Sequence, residues 1–371
     1  MFSFVRSVVV VAAAVLLLVL PAQISPAAGT PGVEATAHIV GPVRKPIKLN
    51  ATKPSKPKAK PRRVAADTTL PNDPLWRDSW SLAKVHAPAA WRVTRGAADT
   101  VVAVLDTGID RNHPDLQGSF VDGWDAVNED ADPDDDHGHG TLVAGVIAAR
   151  SNNGIGGVGA CSQCSLMPVK VIDRNGSGTA EDIAEGIVWA ADHGARVINM
   201  SFVMSGPDAG VAAALEHARS KGVLIVAAAG NNGSADVTFP AGQPGVVSVT
   251  GTDSADGRYE WATYGNWVTL AAPGCSQSTQ AGGGYADFCG TSSAAAFTSG
   301  VAALARSAAR DASVGQIVSA LSSGAVRVGD FVATGRLDAA ATATALSASC
   351  CGPAVPADSR PDRPEPRPDR L

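Results

Sequence analysis

The sequence predicts an α/β fold: a doubly wound, mainly parallel sheet with helices on both faces, built as one domain. Two patterns carry that expectation. Apolar runs short enough to be strands alternate with longer stretches in which apolar residues recur at helical spacing. Such alternation sets successive strands parallel, because the intervening helix carries the chain back across one face of the sheet.

The strand candidates are Val101–Leu105, Leu166–Val171, Val197–Met200, Val223–Ala227 and Val246–Val249. The helices between them are Thr141–Ala149, Thr179–His193 and Gly210–Lys221. Open parallel sheets bind ligands at the carboxyl ends of their strands. Asp106 directly follows the first strand and Asn231 lies just beyond Val223–Ala227, so both fall where chemistry is expected.

The ends of the chain have a different character. Residues 1–28 open with Arg6 and a thirteen-residue apolar run, Val8 to Leu20, followed by small residues. This is the layout of a secretory signal and is short for a membrane span. The mature form is therefore expected outside the cell without a membrane span. Residues 29–69, with nine Lys/Arg against two acids, read as an extended, solvated pro-segment or linker, and 347–371 as a Pro/Arg-rich tail. The region between, 70–346, is expected to be the folded domain. The six cysteines fit an oxidising compartment, with Cys161–Cys164 and Cys275–Cys289 as the economical pairs and Cys350 and Cys351 left open. A Gly-x-Gly-x-x-Gly at 154–159 has a helix before it and a strand after it, the reverse of a dinucleotide site.

The overall charge of −5 conceals an acidic core: residues 69–351 hold 16 basic and 29 acidic groups. That balance excludes nucleic acid as a natural partner and favours a cation taken by oxygen ligands, calcium above all.

Three short runs carry the chemistry: Asp106-Thr107-Gly108, His139-Gly140-Thr141 and Gly290-Thr291-Ser292. An acid, a base and a nucleophile are what covalent hydrolysis by serine needs, and the order Asp, His, Ser differs from that of chymotrypsin-like and α/β-hydrolase triads. Ser292 opens an Ala-rich, helix-prone stretch, so its N–H should face outward at a helix start.

Over residues 70–340 the chain resembles the subtilisin-like serine proteases, with thermitase-like members nearest in pattern. The resemblance is carried by VAVLDTGID at 102–110, HGHGTLVAG at 137–145, VINMS at 197–201, AAAGNNG at 227–233 and GTSSA at 290–294. It implies Ser292 as nucleophile rather than Ser293, and His139 as base rather than His137. Asp106 would orient the histidine and Asn231 would donate to the oxyanion. It also implies a substrate edge at Ser201, Phe202 and Val203, with Gly230 and Thr238 at the first specificity pocket. Two calcium sites follow in the same way. One would use Asp125, Asn128, Asp130, Asp132 and Asp134 in the acidic loop; the other, Asp73, Asp115 and Asn153 with carbonyls near Ile155 and Gly157.

The chain departs from the family at Ala296-Phe297, where Pro-His is usual, and at Phe202-Val203, where Leu-Gly-Gly is usual. Residues 29–68 also lack the pattern of a compact prodomain. The expected function is a secreted, monomeric, calcium-stabilised serine endopeptidase acting on proteins or peptides through an acyl-enzyme. The alternative is a catalytically silent relative serving as a binding or scaffold protein.

Overall fold

The computed structural model describes residues 36–39, 43–46 and 70–350, all within one compact unit, Ala35–Leu371. The expected signal segment 1–28, the tail beyond residue 350 and Cys351 lie outside the described residues.

The strands, in chain order, are β1 (Thr36–His38), β2 (Val43–Pro46), β3 (Val101–Asp106), β4 (Trp124–Asp125), β5 (Ser165–Lys170), β6 (Ser177–Thr179) and β7 (Val197–Met200). They continue as β8 (Val203–Met204), β9 (Leu224–Ala228), β10 (Val246–Thr252), β11 (Leu270–Pro273), β12 (Cys275–Gln280), β13 (Gly284–Cys289) and β14 (Gly335–Arg336). The α-helices are α1 (Trp80–Lys84), α2 (Ala87–Ala90), α3 (His139–Ala148), α4 (Ala180–Asp192), α5 (Ala209–Ser220), α6 (Thr291–Ala308), α7 (Val314–Ser323) and α8 (Ala339–Cys350).

Eight strands form the central sheet in the order β14-β11-β10-β9-β7-β3-β5-β4, and every pairing within it is parallel. The chain leaves β3 toward β5 on one side and returns to β7 on the other. The carboxyl end of β3, where Asp106 stands, is therefore the switch point of the topology. All five strand candidates and all three helix candidates are present, with ends shifted by a residue or a few.

Alternation along each strand shows why both faces must be covered. In β3, Val102 and Val104 enter the core beneath α3 and α6, while Ala103 and Leu105 enter the opposite core with Ile183, Ile187 and Val211. In β9, Leu224 and Val226 face the first core and Ile225 and Ala227 the second. α6 runs through the first core, buried from Thr291 to Arg306. Its alanines let neighbouring elements approach on all sides, and Ala296 and Phe297 are both core residues.

Sequence reasoning missed β11, the β12–β13 hairpin and the carboxyl-terminal helices. β12 and β13 pair antiparallel, with Cys275 opposite Cys289 and the two joined by a disulfide. Ser278 and Thr279 of this hairpin donate to the carbonyls of Leu142 and Thr141, which docks it on α3. Cys161 and Cys164 also form a disulfide.

One expectation is corrected. The segment before residue 69 is not wholly solvated: β1 lies between β6 and β8, and β2 pairs with β13. Ala37 is fully buried in the second core. Lys and Pro abundance marks a poor core former, yet two short strands can add to existing sheet edges on backbone hydrogen bonds alone.

Candidate active site

The three candidate catalytic residues each stand at the end of an element. Asp106 ends β3, His139 begins α3 and Ser292 is the second residue of α6. All three are buried. His139 Nδ1 and Asp106 Oδ1 are 2.7 Å apart, and the Thr107 N–H donates to the same oxygen at 2.9 Å. The other carboxylate oxygen of Asp106 is buried without a hydrogen-bond partner among the described residues. The edge of Phe288 packs against the His139 ring, with centroids 5.4 Å apart. His137, the other histidine of the motif, is exposed.

Asp135 holds this pair together, and sequence reasoning passed over it. Its Oδ1 accepts from the N–H groups of His137 and Gly138 and from Thr107 Oγ1, at 3.1, 2.7 and 2.8 Å. Its Oδ2 accepts from Thr141 N and Oγ1, at 2.9 and 2.5 Å. Thr107 Oγ1 in turn accepts from the Gly140 N–H at 2.9 Å. One carboxylate therefore caps the first turn of α3 and ties it to the turn after β3. Negative charge at a helix amino end is favourable twice over, through the free N–H groups and the helix dipole. The signal in the sequence was an acid shortly before a His-Gly-Thr helix start. It was hidden among neighbouring aspartates that read as calcium ligands. Lys170, fully buried and opposite Asp106 in the β3–β5 register, completes the support by donating to the carbonyls of Thr107 and Ile172 and to Asp136.

Ser292 Oγ donates to the Ser201 carbonyl at 3.0 Å. Ser293 is fully buried, and its hydroxyl lies within hydrogen-bond reach of Ser276 Oγ and the Pro273 carbonyl, away from the pair. Asn231 accepts from Thr291 N and Oγ1 through its side-chain oxygen, at 2.9 and 3.0 Å. That anchors the amide with its nitrogen on the side of Gly290. Gly290 has φ +143°, and a Cβ there would stand 3.4 Å from Asn231 Nδ2 and 3.6 Å from Ser292 N. A side chain at 290 would fill the space onto which both N–H groups open.

Of the residues expected to bind substrate, Phe202 has its ring buried in the second core with Ala37 and Met204, Ser201 is buried and Val203 is half-buried. Thr238 donates to the Ala229 carbonyl at 2.9 Å, which turns its methyl toward Gly230. A Cβ at Gly230 would meet that methyl at 3.5 Å and Val203 Cγ1 at 3.4 Å.

The residues expected to hold calcium fall into two groups. Asp73 and Asp115 are buried close together, and Asn153 donates its side-chain amide to Asp115 and its backbone N–H to Asp73. The N–H groups of Ile155 and Gly157 bond Asn153 Oδ1 and Asp115 Oδ2. Burial pushes the Asp115 carboxyl up to about 6, against hydrogen bonds from Asn153 and Gly157, and the Asp73 charge adds to the rise. Two buried carboxylates close together are a donor set that suits a hard divalent cation, which would relieve their repulsion, although here their oxygens accept from the N–H groups of Asn152, Asn153 and Gly157. In the acidic loop Asn128 binds both oxygens of Asp125, and the Asp132 N–H donates to Asp130. Asp132 and Asp134 instead meet Arg111. Among the described residues, no group of three or more His, Cys, Asp or Glu side chains converges as a metal-binding set.

The Asp135 bridge predicts a kinetic signature. Asp135→Asn keeps the shape but puts an N–H₂ where N–H groups already point. Peptide hydrolysis should lose roughly 10²-fold in kcat with KM little changed, because the imidazole is displaced while the groove is not. Steady-state kinetics check this; an unchanged kcat would remove Asp135 from the positioning role.

A family model described as the subtilase family matches residues 97–346. Thermitase of Thermoactinomyces vulgaris is 39% identical over 274 residues, covering 72% of this chain and 97% of its own length. A thermophilic serine proteinase of Bacillus sp. (strain AK1) is also 39% identical over 274 residues, covering 73% of this chain and 68% of that protein. Among solved structures, a protease from Pseudoalteromonas arctica PAMC 21717 superposes with TM-score 0.69 and 32% identity, over 74% of this chain and 99% of its own. By its parallel sheet, the family match over residues 97–346 and these relatives, the chain belongs to the subtilase family and is a serine-type endopeptidase.

Proposed function

We propose that the protein is a secreted, calcium-stabilised endopeptidase that cuts peptide bonds through Ser292, His139 and Asp106. The observation that carries this is the buried 2.7 Å contact between His139 Nδ1 and Asp106 Oδ1 beside the start of α6. A neutral imidazole whose Nδ1 proton is held by a carboxylate keeps Nε2 free as base. His139 takes the Ser292 proton as Oγ attacks the scissile carbonyl, and returns it to the leaving amine. The carbonyl oxygen becomes an oxyanion between the Ser292 N–H and the Asn231 amide, on the open side of Gly290. Water then releases the acyl group by the same proton path. The Val203 and Thr238 methyl groups that flank Gly230 support a preference for small or medium apolar side chains before the cut.

Export is supported by the signal-like segment 1–28 and by two disulfides. No helix among the described residues is long and apolar enough to cross a membrane. The protein is taken to work as a monomer.

Calcium would be held by Asp73, Asp115 and Asn153, with carbonyls near Ile155 and Gly157, and would fasten the stretch before α1 to the loop after α3. The acidic loop is the second proposed site. Asp125, Asn128 and Asp130 already stand together there, and Arg111 would release Asp132 and Asp134 to a cation. Calcium supplies structural charge neutralisation only; the hydrolytic steps run through protein groups.

Two outcomes test the proposal. Ser292→Ala should abolish casein hydrolysis while the melting temperature holds, and full activity in that variant contradicts the mechanism. Chelation of a sample held at a hundredfold excess over Kd should remove ~2.7 kcal/mol of stability. Calorimetry would read this as a lower Tm, with faster autolysis. A Tm unchanged by chelation contradicts both calcium sites.

A further inference from the structure

β7 breaks the apolar pattern of the central sheet at one position. Val197 points into the first core beneath α6, while Ile198 and Met200 point into the second. Asn199 alternates with them and so shares the face of Val197. Its partners on the neighbouring strands are Val104 in β3 and Val226 in β9, both first-core residues. An amide, fully buried, thus stands in a row of valines. Burying it is costly unless its polar atoms are met, and an apolar residue would suit the row better. The partners that meet it lie on α6 and just beyond the end of β7.

Ser299 Oγ donates to Asn199 Oδ1 at 2.9 Å, and Asn199 Nδ2 donates to Ser201 Oγ at 2.9 Å. Ser201 Oγ in turn donates to the Ser292 carbonyl at 3.3 Å. In the opposite sense, Ser292 Oγ donates to the Ser201 carbonyl. The two serines therefore exchange hydroxyl-to-carbonyl bonds. An amide nitrogen only donates and a carbonyl only accepts, so Ser201 receives from Asn199 and gives to Ser292. All four residues are buried, Asn199 and Ser299 completely. Ser292 and Ser299 are seven positions apart on α6, which puts them on one face about 10 Å from each other. A single amide of the sheet thus holds the helix at two places, directly at Ser299 and through Ser201 at Ser292.

We propose that Asn199 is a positioning residue for the peptidase reaction: with Ser299 behind it and Ser201 in front, it fixes the main chain of Ser292. The inference rests on Ser292 as the nucleophile and names what sets its stance. Holding the Ser292 carbonyl holds the peptide plane in the first turn of α6. That plane fixes the frame from which the Ser292 hydroxyl and N–H project. If Ser299 loses its hydroxyl, the buried Asn199 oxygen has no donor, and the amide turns over to take the proton of Ser201. The Ser292 carbonyl then loses its bond although the altered residue is two helical turns away. No group in the relay carries charge, so the relay sets the rate and leaves its pH dependence alone.

A double-mutant cycle on steady-state peptide hydrolysis tests this. Ser201→Ala and Ser299→Ala should each lower kcat about fivefold, the effect of one hydrogen bond, with KM and the pH profile unchanged. The double variant should also lose about fivefold rather than about twenty-fivefold, because both changes break the same relay. Ser299→Thr keeps the hydroxyl and should keep the wild-type kcat. Ser299→Ala puts the best helix former inside α6, so a merely structural serine would leave kcat intact in a folded protein. Unchanged kcat in Ser299→Ala, or losses that multiply in the double variant, overturns the proposal. The two levels fail differently. A wild-type protein that cleaves no peptide overturns the catalytic reading and the relay with it; an active wild type with an additive cycle overturns the relay alone.

Discussion

The contact between His139 and Asp106 is the constraint around which the rest is arranged. A carboxylate and an imidazole 33 positions apart are held at 2.7 Å with almost no access to water. Burial of a charge is costly unless partners meet it, and the protein provides them in layers. Thr107 donates to Asp106, Asp135 fastens Thr107 to the first turn of α3, and Lys170 holds the Thr107 carbonyl from below. Two aspartates thus have opposite assignments: Asp106 faces the histidine, whereas Asp135 spends both oxygens on the backbone and hydroxyls that set where that histidine stands.

The nucleophile is fixed by different means. α6 is a buried, alanine-rich rod whose first turn opens at the carboxyl edge of the sheet, so Ser292 inherits its place from the core. Gly290 leaves open the space between the Ser292 N–H and Asn231, and the Cys275–Cys289 disulfide closes the hairpin that delivers the chain to that glycine. In the chain-entropy picture a loop of this length contributes ~3 kcal/mol. The same crosslink pins β13, on which both Phe288 and β2 depend.

The parts legible in the sequence were those with periodicity or a fixed motif. The five main strands and three crossover helices were visible because burial on both faces leaves long apolar runs. His139 and Ser292 were separable from His137 and Ser293 by motif; in the structure His137 is exposed and the Ser293 hydroxyl meets Ser276. What escaped were features decided by tertiary contact. The burial of Phe202 was not legible because sequence does not say which way the residue before a two-residue strand turns its ring. Asp135 was lost among like neighbours, since a cap is defined by the N–H groups it meets and not by its own identity. β1 and β2 were invisible for a third reason: their stability comes from edges supplied by β6, β8 and β13, so their own composition carries no trace of it.

β1 pairs with β8 and shelters Ala37 in the second core, so the edge near Ser201 is also part of the folded framework. All of this presumes that Ser292, activated by His139, is the reacting group. Peptide mapping after treatment with a sulfonyl fluoride tests that most directly. The account predicts a single adduct on Ser292 that disappears when His139 is replaced by alanine; an adduct on Ser293, or labelling indifferent to His139, would contradict it.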